Sequence, residues 1–70
     1  MKPLTRAQRA AQLEQLQQLA LAATMVASKL LADDLAKLGR GQEAPDARQL
    51  TLAVHRLQLV HSWVHQELAR

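Results

Sequence analysis

Apolar residues recur every three or four positions along two long segments of this chain, and that spacing is typical of one face of an α-helix. The pattern predicts a first helix over residues 5–38 and a second helix over residues 47–69. Thr5 and Gln8 have the spacing of a capping box, in which each side chain bonds the other residue's backbone amide. Gly39 is the residue type preferred where a helix ends in a left-handed turn.

The segment 39–46 contains both glycines and Pro45, and we interpret it as a loop. Asp46 and Gln49 repeat the capping-box spacing at the start of the second helix. Because a short loop joins helices that lie side by side, the sequence predicts an antiparallel helical hairpin. We expect an all-α fold with one domain over residues 1–70. The first helix should extend past the second by about ten residues, or ~15 Å at ~1.5 Å per residue.

A helical wheel gives each helix more apolar residues than one hairpin can bury. The predicted hairpin face of the first helix consists of Leu13, Leu16, Ala20, Ala23, Ala27, Leu31, Leu35 and Leu38. The predicted hairpin face of the second helix consists of Leu50, Ala53, Val54, Leu57, Val60, Val64 and Leu68. About a quarter turn from the first of these faces lies a further apolar group of Leu19, Ala22, Val26 and Leu30. Within it, we predict a second interface at Leu19, Val26 and Leu30.

The second helix carries another apolar stripe, nearly opposite its hairpin face. It consists of Leu52, Leu59 and Trp63, with Arg56 and Arg70 beside it. Such a stripe should not face water in a monomer, and Trp and Arg are enriched at interface hot spots. These five residues are therefore predicted to bind a protein. The partner is either a second copy, in a homodimeric four-helix bundle, or a different protein. Both kinds of partner can bind at once if the first helix forms the dimer.

The composition supports association. The chain has 70 residues and no cysteine, and Trp63 is its only aromatic residue. A chain this short buries too little surface for a secure core, and without disulfides oligomerisation is the remaining means of stabilisation. We therefore expect a homodimer.

The net charge is +3, which is ordinary for a small soluble domain. Lys2, Arg6 and Arg9 form a basic patch near the N-terminus, and dimer symmetry could bring two such patches together on a nucleic acid. One aromatic residue offers little for bases to stack on. We therefore prefer a protein partner and keep nucleic-acid binding as the competing class.

No group of residues predicts catalysis. His61 and His65 are four apart on one helix, but a metal site needs further ligands that this helix does not place beside them. No nucleophile has an adjacent base, and no pair of carboxylates faces a common cavity. Asp34 falls on the apolar face, where we expect it near the solvated loop. The chain is predicted to be no enzyme and to need no cofactor or metal.

The N-terminal segment does not have the order of a signal peptide. Polar residues between Gln12 and Gln18 separate the basic residues from the apolar run 19–27. That run is shorter than the ~20 residues that cross a bilayer. We expect a soluble, cytoplasmic protein without membrane contact.

The chain resembles three groups of small helical hairpins. In size it is similar to the plasmid copy-number RNA-binding Rop proteins, which pair two hairpins into a four-helix bundle. Its layout, with the apolar stretch 57–64 in the second helix, resembles the needle-subunit co-chaperones of type III secretion, which bind a helical-repeat partner. The length, the missing active site and the Leu52, Arg56, Leu59, Trp63 stripe are similar to small phage-encoded inhibitors of host regulators, including anti-quorum-sensing inhibitors.

The third resemblance implies binding to a larger protein, such as a host transcription regulator, whose DNA-binding or dimer surface would be blocked. We therefore predict a non-catalytic module that masks its partner sterically. Leu52, Leu59 and Trp63 would supply apolar contact, and Arg56 and Arg70 a charged rim. The alternatives are an export co-chaperone and an RNA- or DNA-binding dimer.

Overall fold

The computed structural model describes residues 2–70 and shows two helices joined by one loop. Helix α1 spans Arg6–Gly39 and helix α2 spans Ala47–Leu68. No strand occurs within residues 2–70, and the two helices pack on each other. The predicted all-α helical hairpin is confirmed. Helix α1 begins and ends one residue later than expected, and α2 ends one residue earlier.

Helix α1 begins with the predicted capping box. The backbone amide of Gln8 donates to the Thr5 hydroxyl oxygen at 3.1 Å, and the amide of Thr5 donates to Oε1 of Gln8 at 2.9 Å. Thr5 has an extended backbone, as this motif requires. Two backbone amides that have no partner within the helix are thereby satisfied.

Helix α1 ends at a different glycine from the one predicted. Gly39 is still helical, and Gly41 takes the left-handed conformation with φ of 75°. The amide of Gln42 donates to the Lys37 carbonyl at 2.9 Å, and the amide of Gly41 donates to the Leu38 carbonyl at 3.0 Å. This pair of bonds defines a Schellman motif, and it places the left-handed residue two positions after Gly39.

Helix α2 begins without the capping box predicted at Asp46 and Gln49. Asp46 has a helical backbone, with φ of −89° and ψ of −5°, and its side chain makes no capping hydrogen bond. A capping side chain reaches the next turn's amides from an extended backbone, which Asp46 lacks. A turn around Pro45 leads into the helix instead, with the amide of Ala47 donating to the Ala44 carbonyl at 3.2 Å.

The two helices meet along lines of residues spaced alternately by three and four positions, as in a coiled coil. We call these two lines the seam. Its α1 members are buried or half-buried: Leu13, Gln17, Ala20, Thr24, Ala27, Leu31 and Asp34. Its α2 members are likewise buried or half-buried: Leu50, Val54, Leu57, His61, Val64 and Leu68. The only long-range side-chain hydrogen bond within residues 2–70 joins Gln17 Nε2 and His65 Nδ1 at 3.3 Å and marks the register.

The predicted hairpin face of α1 is partly wrong. Four of its apolar residues are more than a third exposed: Leu16, Ala23, Leu35 and Leu38. In α2, Val60 is exposed as well. The prediction favoured the most apolar face of α1, whereas α2 packs against a face with small residues, where the helices can approach closely. Gln17 and Thr24 take the places expected of Leu16 and Ala23.

The hairpin is one helix layer thick. Its extents are 53 × 26 × 14 Å, and its radius of gyration is 16.2 Å, compared with about 11 Å for a compact domain of this length. Within residues 2–70 the buried residues are Ala20, Ala27 and Val64, the last 0% exposed. No helix in this part of the chain is both long and apolar enough to cross a bilayer.

Candidate protein-binding surfaces

Helix α1 has a second line of apolar residues that nothing in the hairpin covers. We call it the α1 stripe, and it consists of Leu16, Leu19, Ala23, Val26 and Leu30. All five are exposed, and their spacing alternates between three and four residues, as in the seam. The stripe lies about a quarter turn from the seam around α1. It contains the predicted second interface of Leu19, Val26 and Leu30.

Leu21 is about as exposed as the leucines of the α1 stripe but lies on a different side of the helix. Its side chain is 52% exposed, compared with 53% for Leu30 on the stripe. On the helical wheel it lies on the far side of α1 from the stripe. Leu21 therefore provides a matched control for substitutions in the stripe.

Helix α2 presents its own exposed apolar line on the side away from the seam. We call it the α2 stripe, and it consists of Leu52, Leu59 and Trp63, the last 47% exposed. Arg56 lies between Leu52 and Leu59 on the same side, and Arg70 lies two turns after Trp63. The structure therefore places Leu52, Arg56, Leu59 and Trp63 on one exposed face, whereas Arg70 lies beyond the end of α2.

The two arginines predicted to bind a partner have different surroundings. Arg70 Nη2 lies 3.8 Å from Oε1 of Glu67, a long contact between exposed or half-exposed groups. Arg56 makes no ion pair within residues 2–70. Both guanidinium groups can therefore turn toward carboxylates of a binding partner at little cost.

An arginine-lined depression at the open end of the hairpin was not predicted from the sequence. It has a volume of about 620 Å³ and is lined by Arg6, Arg9, Ala10, Leu13, Glu67, Leu68 and Arg70. Arg70 was assigned to the α2 face, yet it lines this depression together with Arg6 and Arg9 of the predicted basic patch. Lys2 is exposed but does not line the depression. The register of the hairpin, which the sequence did not fix, brings these residues together.

The two histidines considered as metal ligands take different places. His61 is half-buried in the seam, whereas His65 is exposed and its Nδ1 is close to Gln17 Nε2. Within residues 2–70, no three His, Cys, Asp or Glu side chains are grouped where they could hold a metal ion.

An ion pair lies beyond the loop end of the α1 stripe. Lys37 Nζ is 3.1 Å from Oδ2 of Asp33. The hydrogen bond from Lys37 to Asp33, with the charge attraction between them, raises the pKa of Lys37 above its ordinary value. Asp34 is half-buried in the last turns of α1, near the loop as expected. The charged pair marks where the apolar surface of the stripe ends.

Comparisons with protein-family models, with curated proteins and with solved structures gave no match to this chain.

Proposed function

We propose that this chain is a non-catalytic binding module that docks on a larger protein through the α2 stripe. Binding would mask a functional surface of that protein, such as the DNA-binding surface of a host transcription regulator in the cytoplasm. The observation that carries the proposal is the exposure of Trp63 in line with Leu52 and Leu59 on the outer side of the hairpin.

The amount of exposed surface supports a binding role. The accessible surface is 5813 Å², whereas a compact monomer of 7.8 kDa exposes about 4400 Å². The difference of about 1400 Å² exceeds the ~800 Å² that each partner buries in a standard protein interface. One hairpin therefore carries enough uncovered surface for at least one stable association.

The geometry of the α2 stripe fits the recognition of a helix by a groove. Leu52, Leu59 and Trp63 are spaced by seven and four residues, so one straight helix presents all three to the same neighbour. A large aromatic side chain such as Trp63 is a frequent anchor in protein interfaces. Helix α2 is already folded and packed against α1, so less conformational entropy is lost on docking than if it folded on binding.

The charges indicate the chemistry of the partner. Arg56 and Arg70 are the two basic residues predicted beside the apolar line. Within residues 2–70, the only ion pair of either arginine is the contact of Arg70 with Glu67. A partner of complementary chemistry has an apolar groove with carboxylates on its rim. Such rim charges mainly steer association and set specificity, whereas the apolar anchors supply affinity.

The test compares Trp63→Ala with Leu21→Ala. A tagged chain is used to capture its partner from nuclease-treated lysate, and the captured protein is then purified and titrated with each variant. Loss of a hot-spot tryptophan should weaken binding by at least about thirtyfold. Leu21→Ala should bind within about twofold of the unchanged chain, since that side chain lies elsewhere. Equal binding by both variants would overturn the proposal.

A masking function makes a further demand on the captured protein. Its own activity, for example DNA binding, should fall as the unchanged chain is added and should persist when Trp63→Ala is added at the same concentration. A complex that leaves this activity intact contradicts masking and favours the co-chaperone alternative.

The arginine-lined depression favours a second candidate function, binding to a nucleic acid. Arg6, Arg9 and Arg70 line it together with a single acid, Glu67. Phosphate contacts weaken steeply with salt, whereas a Leu and Trp interface hardly responds. Binding to RNA or DNA that falls steeply with salt, and that is lost in the Arg6→Gln, Arg9→Gln double variant but kept in Trp63→Ala, would favour this function.

A further inference from the structure

We propose that the α1 stripe is covered by a second copy of this chain, with the two α1 helices antiparallel. This surface is separate from the α2 stripe, and the inference stands whether or not the α2 stripe binds another protein. Three observations lead to a second copy as the occupant: the symmetry of the stripe, its direction and its polar ends.

Four of the five residues of the stripe are complementary to themselves, and the fifth, Leu16, falls opposite Asp33 of the second copy at the edge of the interface. Leu19, Ala23, Val26 and Leu30 are spaced by four, three and four residues, so the spacing is the same in both directions. A two-fold axis at the level of Thr24 and Met25 brings Leu19 opposite Leu30 of the second copy. The same axis brings Ala23 opposite Val26 of the second copy, a small residue against a larger one. An interface between identical surfaces requires this self-complementarity.

The direction of the stripe allows two hairpins to stack. Since the stripe lies about a quarter turn from the seam, it faces along the 14 Å dimension, perpendicular to the plane of the hairpin. A second hairpin placed there gives two helix layers at the usual spacing of about 8–10 Å. The α2 stripe lies nearly opposite the seam and so faces sideways from this stack. A dimer formed through α1 therefore leaves Trp63 exposed.

Polar residues limit the stripe at both ends. Gln12 and Gln15 border a shallow depression beside Leu16 and Leu19. The Asp33–Lys37 ion pair lies beyond Leu30. The apolar line therefore has the length of a few helical turns and ends within α1. A two-fold interface closes on itself and forms a dimer.

The area agrees with a dimer that keeps a second surface free. Burial of about 800 Å² per copy on the α1 side would remove roughly half of the ~1400 Å² by which the hairpin exceeds a compact monomer. This division is what a dimer needs if it also binds another protein.

The test is sedimentation equilibrium of the full chain over a wide concentration range, with Leu30→Glu and Leu21→Glu as a matched pair. The unchanged chain and Leu21→Glu should form dimers with similar dissociation constants. Leu30→Glu should weaken the dimer by at least about a hundredfold, because each interface would bury two unpaired carboxylates. A monomeric unchanged chain, or equal effects of the two substitutions, would overturn the proposal.

Mixing two variants tests the antiparallel register and covers the case in which Leu30→Glu does not fold. In the proposed dimer, a Leu19→Glu chain paired with a Leu30→Lys chain forms one Glu–Lys contact and keeps one Leu–Leu contact. The mixture should therefore form heterodimers at least about tenfold more tightly than either variant pairs with itself. A parallel arrangement would place each residue opposite its own copy, so it would instead favour a mixture of Leu19→Glu with Leu19→Lys. Pairing of that control mixture as tight as pairing of Leu19→Glu with Leu30→Lys would contradict the antiparallel register.

Discussion

The seam and the α1 stripe run along the same helix with the same alternating spacing, but they differ in the size and polarity of their residues. Between Leu13 and Leu31, the buried seam of α1 contains only small or polar residues: Gln17, Ala20, Thr24 and Ala27. The exposed stripe contains three leucines, a valine and one alanine. The larger apolar side chains therefore lie on the face that this chain leaves uncovered. The difference supports the proposal that α1 has two neighbours, α2 on one side and a second copy of the chain on the other.

Two polar residues of the seam make hydrogen bonds within the hairpin. The hydroxyl of Thr24 donates to the Ala20 carbonyl at 2.7 Å, and the Gln17 amide pairs with His65. Within residues 2–70, no buried side-chain nitrogen or oxygen atom lacks a partner. A hydrogen-bonded polar group costs far less to bury than an unpaired one. The seam can therefore include Gln17 and Thr24 where a single apolar face was expected.

The most sensitive test of the difference between the seam and the α1 stripe is to enlarge one alanine on each. Ala20→Leu places a bulky side chain in the seam, where Ala20 is 4% exposed, and should destabilise the hairpin by about 1–3 kcal/mol. Ala23→Leu adds the same atoms to the stripe and should change the free energy of unfolding by less than about 0.5 kcal/mol. Urea unfolding followed by circular dichroism, at a concentration low enough to keep the chain monomeric, measures both. Equal losses would show that both faces are packed within one hairpin.

The valines of α2 test the seam from the opposite side. Val64→Ala removes two buried methyl groups and leaves a cavity, so it should cost about 2 kcal/mol. Val60→Ala, four residues earlier and exposed, should cost less than about 1 kcal/mol, although the sequence predicted both valines for the same face. Thermal unfolding of the two variants at matched concentration checks the ranking. A larger loss for Val60→Ala would place the seam on a different side of α2.

Alanine substitutions at the two glycines near the end of α1 should change the free energy of unfolding in opposite directions. Gly41 has φ of 75°, so Gly41→Ala should destabilise the hairpin by about 1–2 kcal/mol. Gly39 is helical and a Cβ there meets nothing within 4 Å, so Gly39→Ala should stabilise by up to about 1 kcal/mol. This assignment predicts that the urea midpoint of Gly41→Ala lies below that of the unchanged chain and that the midpoint of Gly39→Ala lies above it. The reverse order would show that Gly39, not Gly41, is the left-handed residue.

The smallest expected contrast concerns the two helix starts. Thr5→Ala removes a capping side chain that bonds the Gln8 amide and should cost about 1 kcal/mol. Asp46→Ala removes a side chain that makes no such bond and should cost only a few tenths of a kcal/mol, through the helix dipole. Chemical unfolding of both variants distinguishes them. A cost at Asp46 as large as that at Thr5 would show that α2 is capped after all.

The sequence predicted the parts of the fold that depend on local chemistry. The two helices, the loop between them and the hairpin follow from periodicity and from breakers, and the Thr5 capping box needs only residues three apart. The exposed positions of Leu52, Leu59 and Trp63 also follow from the helical wheel. Each of these features is decided within a few residues of the chain.

The features that the sequence did not predict depend on how the helices fit together. The side of α1 that meets α2 is set by packing volume, and choosing the most apolar face therefore assigned Leu16 and Ala23 in place of Gln17 and Thr24. Whether Gly39 or Gly41 adopts the left-handed conformation depends on which carbonyls accept the last hydrogen bonds of α1. The meeting of Arg6, Arg9 and Arg70 depends on the register between the helices, for which residue patterns give no rule.

The most direct test of the two-neighbour account is the rate of thiol labelling at Ala20→Cys and Ala23→Cys, measured at low and high protein concentration. The chain has no other cysteine, so each signal reports one position. Ala20→Cys should label slowly at every concentration, because α2 covers it. Ala23→Cys should label rapidly in dilute solution and slowly in concentrated solution, as a second copy covers the stripe. Rapid labelling of Ala23→Cys at all concentrations, or equal labelling at both positions, would contradict the account.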